Sequence, residues 1–218
     1  MKISRDEALR YLGAAGAGED TRRAVEAVAG EIEGSFQPQF IYRVFDCAVS
    51  PEGVCLPQAN LCLPGKMAQR MLSGCHRAAL LCCTLGLAFD RLLLKTQSRD
   101  MARAVIMDVC GSAYVEAGCD EAEKEIAARY PDLFLTDRFS PGYGDLPLSV
   151  QANVLQALDA QRLLGVYALP SFMMAPAKSV TAVIGLSRTP QPARVRGCGY
   201  CAMKENCVYR KGGTTCGF

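Results

Sequence analysis

The chain has 218 residues, of which 50% are hydrophobic and 21% are charged, and its formal net charge is +2. This length can form one large or two small domains with a real hydrophobic core, and the composition excludes a disordered chain. The nearly neutral charge also gives no support to nucleic-acid binding, so no nucleic-acid partner is expected.

The first seven residues are charged where a signal peptide would become apolar. Ser4 and Glu7 have the spacing of a capping box, which predicts a helix near the start of the chain. The most apolar run, 78–89, is interrupted by Thr84 and Gly86 and is too short to cross a bilayer. The sequence therefore predicts a cytoplasmic protein with no membrane segment.

Hydrophobic periodicity predicts a mixture of helices and strands. Helices are predicted over about 4–12, 21–34, 64–72, 86–96, 100–129 and 148–158. Strands are predicted over about 40–45, 77–84, 166–172 and 179–186, with a hairpin across 54–63, and the last two strands are expected to pair with each other. This mixture predicts an α+β domain over residues 1–188, with a largely antiparallel sheet and flanking helices. Residues 189–218 are predicted to be a linker and a small cysteine-rich metal-binding tail.

The twelve cysteines fall into two sets. Eight are spread from Cys47 to Cys119, several of them within apolar segments, and are expected to behave as small buried hydrophobic residues. A disulfide framework is not expected for a protein of the cytoplasm. So many thiols favour a reducing or anaerobic host.

The other four cysteines lie close together near the C-terminus, with glycines around them. Four thiolates can satisfy either a tetrahedral zinc ion or a 4Fe–4S cluster. The spacing matches neither a zinc ribbon nor the ferredoxin run, and a cluster is favoured modestly over zinc. The alternative is a disordered tail with free thiols. The predicted metal ligands are Cys198, Cys201, Cys207 and Cys216.

The segment from Arg138 to Asp145 combines a sharp turn with two side chains that a turn does not require. Gly142 and its neighbours turn the backbone, whereas Arg138 offers a planar fork for a carboxylate and Tyr143 offers a flat apolar face. This pattern favours a pocket for a small zwitterionic or nucleoside-like ligand. The alternative is a surface turn whose arginine is solvated.

Three ordered motifs resemble the activation domain of cobalamin-dependent methionine synthase. They are Arg138-x-x-x-Gly142-Tyr143, the segment Ser171-Phe-Met-Met-Ala-Pro-Ala-Lys-Ser-Val180, and the helical Tyr114-Val-Glu-Ala117, which carries Glu116. The resemblance covers about residues 100–187.

This resemblance implies a binding site for S-adenosylmethionine. Arg138 would pair with the ligand carboxylate, and Glu116 would face its cationic or ribose portion. Tyr143 and the backbone of Gly142 would line the pocket, and no side chain would act as an acid or base. Asp108, on the same helix as Glu116, is a further candidate, whereas Lys178 is expected to be solvated. Met173 and Met174 are expected to fill the core.

The resemblance further implies a component for reductive methylation of cob(II)alamin on a partner. That partner would be the cobalamin-binding domain of a methionine synthase or a related corrinoid protein. The electron donor would be external, such as flavodoxin or ferredoxin, and an iron–sulfur cluster in the tail could relay the electron. One alternative is a non-catalytic S-adenosylmethionine-sensing or corrinoid-protein-binding module with a structural zinc tail. The other is a redox scaffold with no such ligand site.

Overall fold

The computed structural model describes residues 1–14 and 16–191, which fold into an α+β domain. Its helices are α1 (Arg5–Tyr11), α2 (Glu19–Ser35), α3 (Lys66–Met71), α4 (Gly86–Gln97), α5 (Met101–Arg129), α6 (Val150–Leu158) and α7 (Ala160–Leu164). Its strands are β1 (Gln39–Asp46), β2 (Ala48–Ser50), β3 (Gly53–Leu56), β4 (Leu61–Pro64), β5 (Cys75–Thr84), β6 (Phe134–Leu135), β7 (Tyr167–Ala168), β8 (Met174–Ala175) and β9 (Ser179–Ser187).

An antiparallel sheet with the strand order β1-β5-β9-β6 forms the centre of the domain. A second antiparallel sheet joins β2, β3 and β4, and a short ladder joins β7 to β8. The predicted fold class, with largely antiparallel sheets and flanking helices, is therefore confirmed for this part of the chain. The predicted metal ligands Cys198, Cys201, Cys207 and Cys216 lie outside the described residues.

Strand β5 separates two hydrophobic cores, because successive side chains of a strand point to opposite faces of a sheet. Ala79, Leu81 and Cys83 belong to the core beneath α2, α4 and α5. Leu80 and Cys82 belong to the core formed with the β3–β4 hairpin, α3 and α6. Both faces of β5 are covered, which explains why its sequence is apolar almost throughout instead of alternating.

Two glycines allow the long helix α5 to pack closely against its neighbours. A Cβ atom at Gly111 would lie 2.5 Å from the ring of Phe89, and one at Gly118 would lie 2.6 Å from the Cys83 sulfur. Asp100 caps the start of the helix, and its carboxylate accepts a hydrogen bond of 2.9 Å from the Arg103 amide. These contacts fix both the depth of α5 and the direction in which its polar face points.

The prediction that 166–172 forms a strand paired with 179–186 is wrong. Only Tyr167–Ala168 is extended, and it pairs with Met174–Ala175, whereas β9 pairs with β5 and β6. A tight turn between these short strands is the physical reason. The Phe172 amide donates to the Leu169 carbonyl, and the Leu169 amide donates to the Met173 carbonyl. The proline between them has no amide hydrogen for a sheet ladder.

The predicted helix start at Pro64 is also displaced, because Pro64 is the last residue of β4. Gly65, with φ of +96°, turns the backbone, and α3 begins at Lys66. The remaining predicted helices and strands are found within a few residues of their expected ends.

The cysteine prediction holds for most, but not all, of the first set. Five cysteines of the described residues are buried: Cys75, Cys82, Cys83, Cys110 and Cys119. Cys55 and Cys62, however, lie directly opposite each other in the β3–β4 pair and form a disulfide, with a Cα–Cα distance of 4.1 Å. The expectation of separate buried thiols is wrong for this pair because the hairpin register brings them together. Within the described ranges, no helix is long and apolar enough to cross a membrane.

We expect Gly111→Ala to lower the free energy of unfolding by about 1–3 kcal/mol, because the new methyl group would overlap the buried Phe89 ring. Gly30→Ala is the matched control, since Gly30 is also within a helix but a Cβ atom added there would meet only open space. That change should raise stability by up to about 1 kcal/mol through helix propensity. Urea denaturation followed by circular dichroism measures both, and equal effects would contradict the close packing of α5.

Candidate functional site

Arg138 is held at the edge of the central sheet by the strand-like segment that contains it. The Thr136 amide donates to the Gly185 carbonyl at 2.9 Å. Phe139 and Val183 exchange two backbone hydrogen bonds, of 2.7 and 3.1 Å, and the Phe139 side chain is fully buried. Because the residues on both sides of Arg138 are attached to β9, the position of its backbone is fixed.

The guanidinium of Arg138 contacts three carboxylates on one face of α5. Its Nη2 donates to Glu116, and its Nη1 donates to both Asp120 and Glu123, each at 2.6 Å. Residues four and then three positions apart lie on the same side of a helix, so this spacing presents all three carboxylates together. The Arg138 side chain is only 14% exposed. We call these four residues the Arg138 cluster.

The Arg138 cluster carries a surplus of negative charge. Burial lowers the pKa of Arg138, but the attraction of Glu123 and Glu116 and the hydrogen bonds to Asp120 and Glu123 outweigh burial and raise that pKa above its usual range. One permanent positive charge therefore faces three carboxylates. A cationic group placed beside these carboxylates would be attracted to them, because opposite charges attract.

The turn that follows Arg138 has its own hydrogen bonds and is tied to α3. The Gly142 amide donates to the Leu146 carbonyl at 2.9 Å, and φ of Gly142 is +94°. The Asp145 carboxylate accepts hydrogen bonds from the amides of Lys66 (2.7 Å) and Met67 (2.8 Å). The bonds from Met67 and Lys66 lower the pKa of Asp145. The turn is therefore held at both ends, by β9 through Phe139 and by α3 through Asp145.

The structure brings only two of the four predicted binding residues into contact. Glu116 and Arg138 form an ion pair. Gly142 and Tyr143 lie in the following turn, where Tyr143 is 47% exposed. Within the described part of the chain, no hydrogen bond or ion pair joins Gly142 or Tyr143 to the Arg138 cluster. The binding roles of all four residues stay predictions.

Sequence reasoning missed Asp120 and Glu123, although a signal for them was present. Their positions relative to Glu116 are those of neighbours on one helical face. The capping role of Asp145 was also missed, since it depends on α3, which lies 78 or more positions away in sequence.

The expectations for Lys178 and Met173 are wrong. The Lys178 ammonium is 2.8 Å from an Asp108 oxygen and donates to the Ser112 hydroxyl at 3.0 Å, so the side chain is only 15% exposed. Asp108 therefore pairs with Lys178 and not with the Arg138 cluster. Met173 is 59% exposed at the turn between β7 and β8, whereas Met174 packs against the core near α6.

Three clefts lie away from the Arg138 cluster, and none is lined by the predicted binding residues. Their volumes are about 300, 330 and 250 Å³, and they lie along α6, α7 and β1. Among the residues for which the structure gives positions, no group of three or more histidine, cysteine or acidic side chains could hold a metal ion.

We expect Arg138→Met to lower the free energy of unfolding by about 2 kcal/mol, because three neighbouring carboxylates lose their shared counter-ion. Adding Glu123→Gln to the Arg138→Met variant should restore part of the lost stability, because it relieves repulsion among the carboxylates. Arg162→Met removes an exposed ion pair with Asp159 and should cost about 0.5 kcal/mol or less. Chemical denaturation measures the three variants, and an equal cost for Arg138 and Arg162 would contradict the importance of the cluster.

Comparison with known proteins identifies the fold. No family model and no curated protein matches the chain. A crystal structure of the MetH reactivation domain bound to AdoHcy is similar to it, with a TM-score of 0.64 and 15% sequence identity. The match covers 95% of this chain and 77% of the other. The chain therefore shares the fold of the methionine synthase domain that its motifs resemble.

Proposed function

We propose that this chain binds S-adenosylmethionine and serves in the reductive methylation, and hence reactivation, of cob(II)alamin on a methionine synthase or a related corrinoid methyltransferase. The observation that carries this proposal is the likeness of the whole fold to a reactivation domain whose structure contains AdoHcy. The Arg138-x-x-x-Gly142-Tyr143 motif supports it independently.

The charges of the Arg138 cluster suit both ends of such a ligand. S-adenosylmethionine carries a sulfonium and an ammonium group, which the surplus carboxylates would attract. Its own carboxylate would bind the guanidinium, whose Nε makes no hydrogen bond to any described residue. Binding would then exchange one of the three carboxylate partners of Arg138 for the carboxylate of the ligand.

In this reaction, the role of the protein is to bind and orient S-adenosylmethionine. S-Adenosylmethionine supplies an electrophilic methyl group, and a strongly nucleophilic reduced corrinoid on the partner accepts it. Methyl transfer removes the reduced corrinoid and so draws an otherwise unfavourable one-electron reduction forward. No proton is transferred to or from a side chain of this protein, so Glu116 and Arg138 act by position and charge alone.

The proposal requires two partners. One is the cobalamin-binding domain of the methionine synthase or corrinoid protein, and the other is an external one-electron donor of the flavodoxin or ferredoxin type. A 4Fe–4S cluster or zinc ion on Cys198, Cys201, Cys207 and Cys216 stays a prediction. A cluster would suit an electron relay, whereas zinc would suit a structural role.

Calorimetric titration with S-adenosylmethionine tests the binding step. We expect Arg138→Ala to weaken binding about 10–100-fold, because a charge-assisted pair with the ligand carboxylate is lost. Tyr143→Ala, at an exposed position, should weaken binding without unfolding the protein. Arg162→Ala is the control and should leave affinity unchanged, since its ion pair lies on α7.

Mixing the protein anaerobically with a cob(II)alamin-loaded methionine synthase, a one-electron donor and S-adenosylmethionine tests the activity. The expected result is a methylcobalamin absorption spectrum that depends on all components and is lost with Arg138→Ala. Saturable binding without methylcobalamin would favour the non-catalytic sensing module. Absence of binding would leave only the shared fold and refute the proposed function.

A further inference from the structure

Cys55 and Cys62, which form the disulfide, differ from the buried cysteines of the described residues in their exposure to solvent. The strands β3 and β4 place Val54, Leu56, Leu61 and Leu63 in the core and turn Cys55 and Cys62 toward solvent, because side chains alternate along a strand. Cys62 is exposed and Cys55 is half-buried. Beside Cys55 on β2 lies Ala48, an exposed residue too small to cover the sulfurs.

The other six cysteines of the described residues are poorly suited to thiol exchange. Five are buried, and Cys47 is half-buried. Burial raises the pKa of Cys47 to about 11 and that of Cys82 to about 12, so both thiols stay protonated at neutral pH. A protonated, enclosed thiol is a poor nucleophile and is not accessible to an external disulfide.

We propose that Cys55 and Cys62 form a reversible thiol–disulfide exchange site whose redox state is transmitted to the Arg138–Asp145 turn. The physical basis is the accessible position of the pair and its place in the hairpin that leads directly into α3. This inference does not depend on the proposed function.

Exchange would begin at the more exposed sulfur. A thiolate of an external dithiol attacks Sγ of Cys62 and breaks its bond to Cys55, whose sulfur leaves as a thiolate and takes up a proton. The second thiol of the dithiol then attacks the mixed disulfide and releases Cys62. The protein pair gains two electrons and two protons, and the external dithiol becomes a disulfide. A small disulfide such as oxidised glutathione reverses the reaction.

The backbone after Cys62 and three hydrogen bonds along it connect the pair to the candidate site. Strand β4 ends at Pro64, and the next amide, that of Gly65, donates to the Glu52 carbonyl across the hairpin at 3.1 Å. The amides of Lys66 and Met67 follow at once and hold the Asp145 carboxylate. Reduction removes the covalent link between the two strands, so the start of α3 and the turn that depends on it should open more often.

The Gln69 side chain provides a second attachment between the hairpin and α3. Its amide donates to the carbonyls of Ser50 (2.6 Å) and Pro51 (3.0 Å), which belong to the connection between β2 and β3. The hairpin and α3 are thus joined both along the chain and across it, and a loosened hairpin cannot leave α3 unaffected.

The first experiment equilibrates the full-length native protein with defined ratios of reduced and oxidised dithiothreitol. Free thiols are then alkylated and located by peptide mass spectrometry, which separates Cys55 and Cys62 from the cysteines near the C-terminus. We expect both sulfurs of the pair to change state together and reversibly, while Cys82 and Cys110 react only after denaturation. A pair that stays oxidised in the native protein with excess reductant, or stays reduced with excess oxidant, would overturn the proposal.

Hydrogen exchange of the same samples tests the transmission. Reduction should speed amide exchange in 138–146 about fivefold, equivalent to a local loss of roughly 1 kcal/mol. A variant with both Cys55→Ser and Cys62→Ser should resemble the reduced protein under all conditions. Asp145→Ala should keep the exchange chemistry but remove the redox response of 138–146, and Cys47→Ser should change neither. Reversible exchange with an unchanged turn would refute the transmission.

Discussion

The close approach of α5 to the central sheet is the constraint on which the candidate site depends. At Gly118 the helix backbone lies so near to Cys83 and Pro38 that no side chain fits between them. Gly118 is flanked on the same helix by Glu116 and Asp120. A larger residue at Gly118 would push the helix outward and move both carboxylates away from Arg138. The charge arrangement at the surface is therefore set by packing in the core beneath it.

The site joins elements that are distant in sequence, and each contributes what the others lack. Helix α5 supplies carboxylates, the segment along β9 supplies Arg138, and α3 supplies two backbone amides for Asp145. Free amides at the start of a helix favour a carboxylate because they need acceptors and carry partial positive charge. The turn is consequently positioned by two kinds of electrostatic contact, one to side chains and one to backbone.

The sequence could predict the helices and strands whose signals are local. It could not predict pairings that depend on the register between strands. The buried strand that became β5 and the helix that became α5 follow from their apolar patterns. The stretch 166–172 has strand composition, but a tight turn pairs its start with Met174–Ala175, while β9 pairs with β5 along its length and with β6 at its end. The disulfide between Cys55 and Cys62 likewise depends on a hairpin register that composition does not specify. The motifs made Glu116 and Arg138 candidates, but their contact with each other and with the other carboxylates required the helix geometry.

Arg138 is a largely buried charge that the structure keeps paired with three carboxylates. A guanidinium in a site this enclosed needs counter-ions, because an unpaired charge there would be strongly unfavourable. Arg138 has three carboxylate partners, Glu116, Asp120 and Glu123, so the loss of one contact leaves the guanidinium still paired. In the proposed binding step, a ligand carboxylate would replace one partner without exposing an isolated charge, and the displaced carboxylate would lie near the cationic groups of the ligand. An arginine with a single partner would lack this property, because displacing that partner would leave the guanidinium paired with the ligand alone.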